Sequence, residues 1–196
     1  GQKTVRKLYN AANFVFMHLE GFDKSSKPKL HGLDNWLLSN LNKTIKVASE
    51  EFEKYNYTHP RLEAEKFFWQ VLCDNYLELV KDRLYNRPEE KAGAQYALYH
   101  AFLAVLKLFA PIMPHITEEL YQKYYKDSVG AESIHVADWP TTLDCKDSFQ
   151  EIGNFAVEIV QAARKFKSEN KVSLKTDVTA SIKGPIDSGA MDSCTL

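Results

Sequence analysis

Lys3, Lys7, Asn10 and Phe14 are spaced by three and four residues, the interval that sets side chains on one stripe of a helix, with Arg6 and Asn13 beside them. These are the types that single-stranded nucleic acid rewards. Cations neutralise phosphates without reading sequence, and amides donate and accept at a base edge. An aromatic ring off the buried face stacks on an unpaired base for about 1–3 kcal/mol. The same residues have an ordinary reading, in which Phe14 packs beneath a polar loop at 21–32 and the asparagines meet neighbouring helices. Lys81 and Arg83, and later Arg164, Lys165 and Lys167, are further cations that could reach a phosphate, and charge on a solvated face accounts equally well for each.

Catalytic chemistry has less to stand on. The six histidines, His18, His31, His59, His100, His115 and His135, show no HExxH or HxH spacing, so no metal site is expected. The sequence contains no GxxxxGK[ST], GxGxxG or GxSxG, which removes the usual phosphate cradles and nucleophile elbow. Glu118 and Glu119 look like a carboxylate pair, but helix neighbours in sequence point about 100° apart and suit a helix start better than acid/base work. Lys24-Ser25-Ser26-Lys27 reads as a solvated polar turn. Cys73, Cys145 and Cys194 are widely spaced, odd in number and without a CxxC, and read as free thiols. No catalytic residue is assigned, and a small helical enzyme is the least supported reading.

Elements must position the stripe, and the hydrophobic pattern supplies them. Val5, Leu8, Tyr9, Ala12, Val15, Phe16 and Leu19 mark the inner face of a first helix from Lys3 to about Leu19. A second helix runs from Leu33 to about Tyr55. A third, from an N-cap at Thr58 to about Leu84, carries Phe67, Phe68, Trp69, Tyr76 and Leu77 on several faces and so belongs at the core. Glu89 to Ala110 forms a fourth, and Pro111 and Pro114 force a restart at His115 to about Tyr125. SIHVADWP at 133–140 reads as an extended segment. Ile152, Phe155, Ala156, Ile159, Ala163 and Phe166 stripe a sixth helix, and alternation from Val172 through Leu174, Val178, Ala180 and Ile182 reads as one or two strands. The expected fold is mainly α, an antiparallel helical bundle over 1–130, with a small C-terminal α/β appendage over 131–196.

The 196 residues are 44% hydrophobic and 26% charged, enough for one good core. No apolar run is long enough to span a membrane, so a cytoplasmic protein is expected. A net charge of −1 argues against nucleic acid until its distribution is read: residues 1–46 hold eight Lys/Arg against three Asp/Glu, a net +5, leaving −6 for the other 150. A polyanion should land on the first part. A first residue of Gly, a helical pattern already running by Val5, and the aperiodic GPIDSGAMDSCTL read as a piece of a longer chain.

KLYNAANFV at 7–15, FFWQVLCDNYLELVKDRLY at 67–85, LFAPIMPHITEELYQ at 108–122 and SIHVADWP at 133–140 together resemble the anticodon-binding region of class I aminoacyl-tRNA synthetases for branched aliphatic amino acids. CDNYLELVKDRLY with PHITEELYQ looks most like the valyl type, with isoleucyl and leucyl members as alternatives. The resemblance covers about Gly1 to Thr179. It implies a helical bundle that docks on a tRNA anticodon stem and loop, with its first helix among the contacting elements. It also implies a catalytic domain in the same polypeptide that uses ATP to ligate valine to its tRNA. The HIGH and KMSKS signatures of that domain are absent from this chain, so it needs no cofactor of its own. Valyl enzymes often carry Arg where this sequence has Asn13, a departure that leaves the base contact there open. The rival from another class is a helical scaffold for protein partners, which requires the aromatic residues of the third and fourth helices to be exposed.

Overall fold

The computed structural model describes residues 2–173 and Thr176. The described residues form a helical bundle without strands. Its elements are α1 (Gln2–His18), α2 (Gly32–Glu53), α3 (Thr58–Lys66), a π-helical segment (Phe67–Tyr76), α4 (Leu77–Leu79), α5 (Lys81–Asn86), α6 (Lys91–Phe109), α7 (Pro114–Tyr124), α8 (Lys126–Val129) and α9 (Gln150–Glu169). The strands expected through Leu174, Val178, Ala180 and Ile182 lie outside the described residues.

α6 is the axis. From Gly93 to Phe109 it is buried nearly all round, and it packs on α1, α2, α3, α5 and α7. Phe67, Phe68, Tyr76, Tyr99, Phe102 and Phe109 are all buried, so the exposed aromatic face that a protein scaffold would need is not there.

α1 turns a narrower face inward than the hydrophobic pattern predicts. Leu8, Ala11, Ala12 and Val15 are buried with Thr4 and His18, whereas Val5 and Tyr9 are exposed. Two alanines in succession let α1 lie close to its neighbours, and Phe16 stacks flat on Tyr124 of α7, ring centroids 3.8 Å apart. α9 is likewise rotated from the expected stripe. Gly153, Ala156, Val157 and Val160 face inward, and Phe155 and Phe166 are exposed. The cause is local: a Cβ on Gly153 would land inside the Trp36 indole of α2, whose Nε1 donates to Asn154 Oδ1 at 2.8 Å. Glycine permits that approach, and the approach fixes which side of α9 is buried.

The single third helix expected over 58–84 is broken. Thr58 does not cap it, since Tyr57 precedes it in helical conformation and no side-chain cap bond forms. At Phe67 the α-helix passes into ten residues of π-helix, where Asn75 Nδ2 reaches back five residues to Gln70 O at 2.6 Å. Each π turn holds more residues than an α turn, so the side chains that follow are rotated against their α-helical positions. A turn at Val80 then separates α4 from α5.

The segment at 133–140 is only partly extended as expected: Ser133 and Ala137 have extended backbone, with a turn between them. Ile134–Val136 forms a 3₁₀ turn, capped by Ser133 Oγ, which accepts from His135 N. Glu118 holds it, accepting from Ile134 N and Ser133 Oγ, both at 2.9 Å. Burial opposes the ionised form of Glu118, but hydrogen bonds from Gln122, Ile134 and Ser133 outweigh it and hold the carboxyl below its ordinary range. In the 21–32 loop, Ser25 N and Oγ donate to Asp23 Oδ1 at 2.9 and 2.7 Å, which closes the Lys24–Lys27 stretch as a polar turn.

Candidate nucleic-acid interface

The outer side of α1 faces solvent. Lys3, Arg6, Asn10 and Asn13 are exposed, and Lys7 and Phe14 are half-buried. Phe14 lies against the ring of His18, one turn on in the same helix, with centroids 4.6 Å apart. Lys7 Nζ lies 5.1 Å from the Trp69 ring centroid and 3.5 Å from Asp74 Oδ1, so the π-helical segment holds it by cation–π attraction and by charge.

Lys7, Asn10 and Phe14 form one wall of a cleft of ≈ 230 Å³, with Glu78 and Lys81 opposite and Leu77 at its base. Lys81 Nζ donates to both oxygens of Glu78 at 2.8 Å. Both cleft lysines are therefore already matched by a carboxylate. Cys73 also lines the cleft, but burial pushes its thiol up to about 12, so it is protonated at neutral pH and no nucleophile. Among the described residues, no three His, Cys, Asp or Glu side chains converge as metal ligands, and no helix is long and apolar enough to cross a membrane.

The remaining candidates divide. Arg164 Nη1 donates to Asp74 O at 2.9 Å, which brings α9 to the residue that holds Lys7. Lys165 is exposed further along α9, 3.9 Å from Glu169. Asn13 turns away from the cleft, its Oδ1 accepting from Tyr124 OH at 3.2 Å.

Arg83 has to be withdrawn as a phosphate contact. Its guanidinium is buried and grips Asp34 with two bonds, Nη1 to Oδ1 at 2.8 Å and Nη2 to Oδ2 at 2.9 Å. Tyr76 OH donates to the same carboxylate at 2.6 Å, and Asp34 in turn accepts from His31 N at the start of α2. Every oxygen of Asp34 is in use, and although Arg83 Nε has no hydrogen-bond partner it is buried, so the guanidinium faces Asp34 and Glu90 rather than a ligand.

Sequence reasoning missed Trp69, Asp74 and Glu78, which hold the lysines, and the exposed ring of Tyr85. Lys81 and Tyr85 are one turn apart on α5, and Arg83 falls on its other side. That spacing was the available signal.

The chain matches the family model of the anticodon-binding domain of tRNA ligase over residues 34–182. It is 41% identical over 174 residues to a valine–tRNA ligase of Thermococcus kodakarensis, covering 87% of this chain and 20% of that protein. It is 42% identical over 193 residues to a valine–tRNA ligase of Rickettsia conorii, covering 91% of this chain and 23% of that protein. Against a valine–tRNA ligase of Pyrococcus furiosus the identity is 39% over 175 residues. The chain spans about a fifth of the length of the curated relatives it matches.

Proposed function

The chain belongs to the family of anticodon-binding domains of tRNA ligases, and from that premise we propose that it grips the anticodon stem-loop of a valine tRNA, through the outer side of α1 and the cleft beside it. The observation that carries this reading is the placement of Lys7, Asn10, Phe14 and Lys81 around one cleft open to solvent. Phe14 supplies a stacking face, Asn10 an edge that both donates and accepts, and Lys3 and Arg6 supply charge for the phosphates at the start of α1. Valine is favoured over isoleucine or leucine because the relatives named above are valine–tRNA ligases.

Activation of valine with ATP and its transfer to tRNA belong, on this reading, to a catalytic body in the parent polypeptide, working in the cytoplasm. This chain supplies recognition. A packed bundle suits that task because unstacked loop bases must be held at a fixed distance from a remote active site.

The reading is tested by titrating the chain with a synthetic valine-tRNA anticodon stem-loop and with a second stem-loop whose anticodon bases are exchanged. The exchanged loop should bind more weakly, and Phe14→Ala should weaken binding to the first by about 1 kcal/mol or more. Equal affinity for both loops, unaffected by Phe14→Ala, would defeat the assignment.

A further inference from the structure

The two rows of side chains that line the cleft run on past its end. On α1, Phe14 is followed one turn later by His18; on α5, Lys81 is followed one turn later by Tyr85. The rings meet there. The centroids of His18 and Tyr85 are 4.6 Å apart and their planes stand at 87°, so Tyr85 and Phe14 flank His18 on either side. His18 is the buried member at 5% exposure, held where its backbone carbonyl accepts from Gln95 Nε2 at 2.6 Å. Its Nε2 is buried with no hydrogen-bond partner, so the ring serves as a spacer rather than as part of a polar network. Tyr85 is 58% exposed.

We infer that Tyr85 is a second base-stacking platform, so that the trough between α1 and α5 holds two consecutive unstacked nucleotides of an RNA loop, one base at Phe14 and its neighbour on Tyr85. The inference rests on the anticodon reading above and deepens it. Three features carry it. Bases splayed out of a loop each need a separate flat surface, and the His18 ring sets the two surfaces one ring apart. The edge-on contact with a buried ring orients Tyr85 before binding, so less freedom is lost when a base lands on it. The lysines of the trough are already held, Lys7 by Asp74 and Lys81 by Glu78, so the trough offers little uncompensated charge to a phosphate and takes bases instead. Backbone phosphates are left to Lys3 and Arg6, which make no ion pair among the described residues.

The test measures the affinity of the whole 196-residue chain for the valine-tRNA anticodon stem-loop, intact and with a single abasic site at each anticodon position in turn. Tyr85→Ala should weaken binding of the intact loop roughly 5- to 150-fold, the range expected for loss of one stacked base. Tyr85→Phe should bind like the wild type, and Tyr85→Leu, which keeps bulk against His18 without an aromatic face, should behave like the alanine variant with an unchanged melting temperature. One abasic position should abolish the difference between wild type and Tyr85→Ala, and it should adjoin the position that abolishes the effect of Phe14→Ala. If Tyr85→Ala and Tyr85→Leu bind like the wild type while Phe14→Ala is weakened, the second platform is refuted and the anticodon reading stands. If both effects vanish at the same abasic position, the two-nucleotide trough is refuted. A wild-type chain that fails to distinguish the stem-loop from one with exchanged anticodon bases removes both.

Discussion

His18 closes α1 with its ring between Phe14 and Tyr85, and its burial ties the stability of the trough to pH. Burial, and after it the positive charge of Lys91, lower its pKa from the ordinary value of about 6.5. The unfolded chain therefore takes up a proton at a higher pH than the folded chain does. Stability from this group is complete above about pH 6.5 and declines as pH falls below it toward the folded pKa. Half-buried His100 is shifted in the same direction by burial and adds to the decline. His18→Phe keeps a ring between Phe14 and Tyr85 and removes the titration, so denaturant unfolding at about pH 7.5 and about pH 5.5 should show a smaller loss in the variant than in the wild type. An identical loss in both would mean that His18 is not a source of the pH dependence. In sequence His18 looked like no more than one of six scattered histidines, because nothing local marks the ring that crosses to it from α5. The α1 stripe was legible, since Lys3, Lys7, Asn10 and Phe14 recur at helical spacing whatever surrounds them. The turn of Asn13 toward Tyr124 was not, because its partner lies 111 residues away.

α5 shows how one short helix divides structural from surface charge. Lys81 and Arg83 are two residues apart and read alike in sequence, yet they point to different sides. Arg83 donates to Asp34 and to the Glu90 carbonyl, and Tyr76 donates to the same Asp34 carboxylate, which ties α5 to the start of α2 and the end of the π-helical segment. Lys81 faces the cleft. Arg83→Ala leaves the Asp34 carboxylate buried without its ion partner and should destabilise the chain by about 3–5 kcal/mol in denaturant unfolding. Lys81→Ala, removing a surface pair with Glu78, should cost no more than about 1 kcal/mol and act on RNA affinity instead. Comparable destabilisation by both would contradict the division. Helix positions were broadly legible because buried faces recur every three to four residues. The π-helical segment was not, for Phe67–Tyr76 has the apolar content of any buried helix and no glycine or proline to mark the change. The inner face of α9 also escaped, because Gly153 matters only through the Trp36 indole it approaches.

At the scale of the whole molecule, a net charge of −1 conceals a separation that decides how binding should respond to salt. Basic residues concentrate in the first part of the chain, as the sequence shows, but their number overstates the charge a phosphate would meet. Lys7 is already held by Asp74 and Lys81 by Glu78, so bringing RNA to them displaces few counterions. Lys3 and Arg6 are exposed and make no ion pair among the described residues, so on the proposed reading the counterion release falls to them. For single strands each such contact contributes about −0.7 to the slope of log affinity against log salt, so two of them give roughly −1.4. Lys3→Ala and Arg6→Ala should each flatten the slope by about 0.7, while Lys7→Ala should weaken binding with little change in slope. Titrations at three or more salt concentrations separate the cases. A slope that is unchanged in the Lys3, Arg6 double variant but collapses in Lys7→Ala would place the phosphates inside the trough and turn the charge argument around.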